Sequence, residues 1–148
     1  MDKFSEIAAK NFREGYNCAQ SVFMTFAEEF GIEKDIALKL SSSFGGGMGR
    51  LREVCGAVSS MFAIAGLKYG YISADNDEAK AKHYELIQSL AEKFKTKCGS
   101  IICRELLNLP EGADSPIPTE RTEKYYKERP CEEIVRIAAE IIEQEILK

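Results

Sequence analysis

The 148-residue sequence predicts an all-α fold, a single-domain helical bundle of about six helices covering residues 1–148. Two observations lead there. Apolar residues recur at three- and four-residue spacing along most of the chain, and no run of useful length alternates apolar and polar as a half-buried strand would. A third is punctuation: Gly, Pro and Asn fall at the ends of the periodic runs, where helices start and stop.

The elements follow in order. Phe4, Ile7, Ala8 and Phe12 keep helical spacing until Gly15 breaks the run. Asn17 reads as an N-cap with Gln20 at the third helical position, a capping-box variant. Val22, Phe23, Phe26 and Phe30 extend that buried face to Gly31. A short helix carries Ile36, Ala37, Leu40 and Phe44, and the glycine loop at 45–49 follows. From about Val54 to Tyr69 the chain is apolar or small on nearly every side, which predicts the central, surrounded helix. A long charged helix spans roughly Asp75 to Lys97, with Tyr84, Ile87, Ala91 and Phe94 as its inner stripe. A short turn of helix runs around Cys103 to Leu107. The polar loop from Pro110 to Pro118 is the one flexible-looking connection. The chain closes with a helix from Pro130, with Ile134, Val135, Ala138 and Ile141 facing inward.

Composition narrows the function classes. Hydrophobic residues at 45% and charged ones at 30% are ordinary for a globular domain long enough to bury about two-thirds of its unfolded surface. A net charge of −4 without a basic stripe argues against nucleic-acid binding. The N-terminal stretch lacks a basic segment followed by an apolar one, and the apolar run Val54 to Leu67 is too short to span a bilayer of about 30 Å. The expectation is a cytoplasmic protein without membrane insertion, whose five cysteines are unlike a permanent disulfide framework.

Four of the five cysteines share one address. Cys18 follows the Asn17 cap, Cys55 follows the glycine loop, Cys103 follows the helix-ending Gly99, and Cys131 follows Pro130, a residue favoured at a first helical position. Unpaired N–H groups and the positive end of the helix dipole favour an anion there. A thiol so placed is acidified to about 3.5–7.5, against roughly 8.5 when free. The bland reading stands beside this one: free cysteine packs as a small hydrophobe, and Cys131 begins an inward-facing series, where a dry site raises its pKa. Cys98 ends a helix, where the dipole opposes a thiolate, and reads as core or accessory.

Three functions compete on these residues. In thiol redox or electron-transfer chemistry Cys55 is the expected attacking thiol, reached through the glycine loop and with Arg50 and Arg52 beside its anion; Cys18, Cys103 or Cys131 resolves the intermediate. No Cys-x-x-Cys is present, so the fold must assemble the pair. In the second reading Cys18, Cys55, Cys103 and Cys131 are metal ligands for zinc or an iron–sulfur cluster, without the close ligand spacing of known motifs. The third is a non-catalytic interaction domain with structural cysteines. The expected partner is a redox protein or a small-molecule thiol or electrophile, with an oxidoreductase activity and a homodimer both left open.

Smaller signals have two sides. Gly45, Gly46, Gly47 and Arg50 are candidates for an anion or cofactor cradle, though the loop fits neither P-loop nor dinucleotide spacing and reads first as a tight turn. His83, the lone histidine, reads as solvated helix surface. Tyr125 and Tyr126 either cover Cys131 or close the bundle.

The segments "EGYNCAQSVF", "GGGMGRLREVCGAVSSMFAIAGLKYG", "CRELL" and "RPCEEIV" resemble the C_GCAxxG_C_C family, to which a redox role is given, over almost the whole chain. The resemblance places the family cysteines on Cys18, Cys55, Cys103 and Cys131 and leaves Cys98 outside. One departure stands out: Ser60 occupies the position of the motif's last glycine, adding bulk where a partner helix or ligand would approach.

Overall fold

The computed structural model describes residues 3–148. Eight right-handed α-helices make up the described chain: α1 (Phe4–Arg13), α2 (Cys18–Phe26), α3 (Lys34–Ser42), α5 (Gly56–Tyr69), α6 (Asp77–Cys98), α7 (Cys103–Leu106), α8 (Glu123–Glu128) and α9 (Cys131–Glu145). Between α3 and α5 lies α4 (Gly45–Met48), a turn of opposite hand, and a 3-10 turn over Ala27–Phe30 extends α2. The all-α expectation holds, with one short helix, α8, that the pattern did not suggest.

Local chemistry sets the boundaries. Asn17 caps α2 through a full capping box: its side chain accepts from the Gln20 N–H at 2.8 Å, and the Gln20 side chain accepts from the Asn17 N–H at 3.2 Å. Asn76 caps α6, and left-handed Gly99 ends it. Thr122 caps α8 by accepting from the Tyr125 N–H at 3.1 Å. That cap lies in a stretch too short and too charged for periodicity to reveal it.

Helix α1 lies against α9, and α2 against α5, with α9 touching α2, α5 and α6. The core between them is built from Phe12, Val22, Phe26, Met61, Ile64, Phe94, Ile134 and Ile142. Each such side chain contributes about 1.5–3 kcal/mol by leaving water. The N-terminal half of α5 is enclosed as expected, but Ala63, Leu67 and Tyr69 are exposed.

Two stripes shift. Leu90 and Phe94 are the buried residues of α6, whereas Tyr84 is 52% exposed, because α6 meets the bundle only along its C-terminal half. On α3, Ile36 and Leu40 are each 55% exposed and only Ala37 is buried among the apolar residues expected there. Ser60 is also informative. Its hydroxyl donates to the Ala19 carbonyl at 2.7 Å, so the added bulk ties α2 to α5 rather than wedging them apart.

Candidate functional site

All four expected cysteines do begin helices: Cys18, Cys103 and Cys131 are first residues of α2, α7 and α9, and Cys55 is the N-cap of α5. Tertiary contacts then aim these starts at one place. Residues 53–55 and 101–103 run antiparallel through a single bridge, Val54 to Ile102, with Cys55 N–H donating to the Ile101 carbonyl at 2.8 Å and Cys103 N–H to the Glu53 carbonyl at 2.6 Å. The short ladder sets Cys55 opposite Ile101 and Cys103 opposite Glu53, one cysteine at each end of it. Cys18 and Cys131 approach from across the bundle, and all four line a cavity of about 190 Å³. Cys98 does not reach it.

The glycine loop makes the close approach possible. Gly46, Gly47, Met48, Gly49 and Arg50 all have φ between 58° and 70°, a short left-handed helical turn. Each non-glycine residue held that way costs roughly 1–2 kcal/mol, so the three glycines carry most of the turn without strain. Space is as tight as conformation: a Cβ on Gly47 would stand 2.6 Å from Cys103 Cβ. On the next element, a Cβ on Gly56 would stand 2.7 Å from Cys18 Sγ and 2.6 Å from the Phe44 carbonyl oxygen.

Those missing side chains leave Cys18 Sγ facing hydrogen-bond donors. The Cys55 thiol donates to it, and backbone N–H groups of Gly46, Gly56 and Ala19 add to the effect. Together they overcome burial and bring the Cys18 thiol down from its ordinary 9.0 to about 6. Cys55 moves the opposite way. Holding its proton toward Cys18 is the largest cause, and burial reinforces it. The two shifts have one shared cause and opposite directions, downward at Cys18 and upward at Cys55. Burial, with the charges of Cys18 and Cys103 nearby, pushes Cys131 up to about 12. Burial also raises Cys103, against the pull of Arg52.

The arginines expected beside Cys55 serve other groups. Arg52, 3% exposed, donates from Nη1 to Cys103 Sγ at 3.5 Å and pairs with Asp114 at 3.0 Å. Arg50 shares Asp114 at 3.3 Å and donates to the Ser115 carbonyl and the Thr119 hydroxyl, pinning the loop after α7 over the cavity. The proposed anion cradle has an occupant of its own. The Gly46 amide is turned to the Cys18 sulfur; Gly45, Gly46 and Arg50 line the cavity, while Gly47 packs against Cys103.

Several site residues were not foreseen. Phe12, Arg121 and Arg129 line the cavity too, and Tyr125, expected to cover Cys131 or close the bundle, lines it beside that cysteine. Arg121 Cζ lies 4.1 Å from the Phe12 ring centroid, and its two terminal nitrogens donate to the Phe12 and Tyr16 carbonyls at 2.6 and 2.9 Å. Arg129 precedes the Pro130–Cys131 helix start, a sequence signal that a thiol-centred reading can use. Arg121 offers none, since only the fold returns it to α1. His83 is half-buried against the Tyr71 ring rather than fully solvated.

A zinc ion or iron–sulfur cluster does not fit this arrangement. Among the described residues no three His, Cys, Asp or Glu side chains are grouped to hold a metal ion. A guanidinium already stands against Cys103.

The four cysteines that line the cavity carry the pattern over which a family can be compared. A family model described as "Putative redox-active protein (C_GCAxxG_C_C)" matches residues 16–145. The chain belongs to that family. The match spans every helix that lines the cavity except α1. No curated protein and no solved structure matches the chain. Among the described residues no helix is long and apolar enough to cross a membrane.

Proposed function

We propose that this C_GCAxxG_C_C protein carries out thiol–disulfide exchange, with Cys18 as the attacking sulfur and Cys55 as its resolving partner. One observation carries the reading: Cys18 and Cys55 line the same cavity, with Gly56 so close that an added Cβ would stand 2.7 Å from Cys18 Sγ, and the two thiols shift each other in opposite directions. A thiol near pKa 6 is mostly thiolate at neutral pH and keeps good nucleophilicity, close to the optimum for exchange.

The steps balance as follows. The Cys18 thiolate attacks one sulfur of a disulfide R–S–S–R′, forming a Cys18–S–R bond as the S–S bond breaks and its electron pair leaves on R′S⁻. That thiolate takes the proton of Cys55. The Cys55 thiolate then attacks Cys18 Sγ, forming the Cys18–Cys55 disulfide and expelling RS⁻, which is protonated by water. The substrate gains two electrons and the protein dithiol loses two. A second thiol or dithiol restores the reduced pair by the reverse exchange. Cys103 and Cys131, held protonated, stand by without competing for the first step.

The test is a single-turnover reaction of reduced protein with bis(2-hydroxyethyl) disulfide, followed by peptide mapping. The expected product is a Cys18–Cys55 disulfide, and Cys55→Ser should trap a mixed disulfide on Cys18. A bond mapped between other cysteines, or no reaction at Cys18, overturns the assignment.

A further inference from the structure

Guanidinium groups on this cavity differ in what they already hold. Arg50 and Arg52 share the Asp114 carboxylate, and Arg121 is spent on two backbone carbonyls. Arg129 is unlike them. Among the described residues it makes no side-chain hydrogen bond and no ion pair, and its Cζ rests 5.5 Å from the Tyr125 ring centroid. It is half-buried, lines the cavity, and lies close enough to Cys103 and Cys131 for its charge to lower both thiols. None of its nitrogens is a buried atom left without a partner, so its donors stay within reach of an incoming molecule. Four arginines against one carboxylate leave the cavity with excess positive charge even after the Cys18 thiolate is counted.

The rest of the wall defines what else is needed. Phe12, Tyr125, Leu106 and Leu107 give an apolar surface beside the sulfurs. A volume of about 190 Å³ lies below the roughly 300–1,000 Å³ that takes a drug-sized ligand. The amides that would cradle a phosphate, at Gly46, Gly56 and Ala19, are turned to Cys18. What remains is a planar fork suited to a carboxylate, beside a greasy slot suited to a short carbon chain.

We propose that the cavity selects small organic disulfides that carry a carboxylate, with Arg129 binding that carboxylate while one substrate sulfur meets Cys18. This rests on the exchange reading above and adds the class of substrate.

The test compares single-turnover rates of the reduced full chain with three disulfides of like size: anionic 3,3′-dithiodipropionate, neutral bis(2-hydroxyethyl) disulfide and cationic cystamine. Rates are corrected for leaving-group pKa, with Cys18 modification read by mass spectrometry. The anionic reagent should react at least about tenfold faster than the neutral one, as a charge-assisted hydrogen-bonded pair allows, and the cationic one slowest. Arg129→Gln should collapse the anionic-to-neutral ratio toward one, and Arg129→Lys should restore part of it. A purely structural role for Arg129 would slow all three reagents together and leave the ratio intact, which would overturn the proposal. Equal rates for all three in the native protein would overturn it too while leaving thiol exchange standing. No reaction at Cys18 with any of them removes both.

Discussion

Cys18 and Cys131 are each the first residue of a helix, and both face the same cavity, yet one thiol sits at about 6 and the other at about 12. The helix dipole does not explain the gap. Helix α9 has 15 residues and α2 only 9, so a dipole argument would make Cys131 at least as acidic. What differs is the direction of nearby donors. Cys18 receives a thiol proton and N–H groups from two other segments, whereas burial dominates at Cys131. A helix start offers an anion a favourable location; directed hydrogen bonds decide whether the thiol ionises.

The contrast is broken most directly by measuring alkylation. At pH 7 Cys18 should react with iodoacetamide on the order of 10²-fold faster than Cys131, after the lower intrinsic nucleophilicity of an acidic thiolate is counted. Site-resolved mass spectrometry reads both rates in one sample, and comparable rates would remove the distinction. Gly56→Ala attacks the cradle itself. Its methyl group would displace Cys18 Sγ or the Phe44 carbonyl, costing about 1–3 kcal/mol in thermal stability and moving the pH midpoint of Cys18 alkylation upward. A variant of unchanged midpoint would show that the amide positions are not what acidifies the sulfur.

The contrast also reaches stability against pH, where the two thiols have opposite signs. Cys18 is depressed in the folded state, so its contribution is complete above its ordinary 9.0 and is lost as pH falls toward 6. Cys131 is raised, so its contribution is complete below 9.0 and is lost as pH climbs toward 12. Denaturant unfolding should therefore show stability rising between pH 6 and 9, by at most about 1.4 kcal/mol per pH unit from Cys18. Cys18→Ser should flatten that rise and leave the decline above 9.

Much of this was legible in the sequence. Asn17, Gly99 and Pro130 announce three helix starts by local chemistry that tertiary structure does not alter, and the glycine loop announces the fourth. The lowering of Cys18 was not legible, because its causes are Cys55, Gly46 and Gly56, tens of residues away. The same holds for Arg52: it reads as a neighbour of Cys55 along the chain, but the left-handed turn sends it to Cys103. Its own φ of 61° breaks the rule that such backbone belongs to glycine, and no local pattern signals that. The inner stripe of α6 holds at Ile87, Ala91 and Phe94 and fails only at Tyr84. Periodicity finds a face, but only the packing of α9 decides which half of a 22-residue helix is covered.

The Val54–Ile102 bridge has a consequence for how the chain matures. It joins segments separated by the whole of α5 and α6, so closing it requires both helices to fold back first, a long loop with its entropic cost. Loop-closure entropy therefore opposes assembly of the Cys55–Cys103 side of the site until both helices have docked. Because Cys18 owes its acidity to Cys55, Gly46 and Gly56, an unfolded chain carries only ordinary, sluggish sulfhydryls, and the reactive one exists only inside the shell that chooses what touches it.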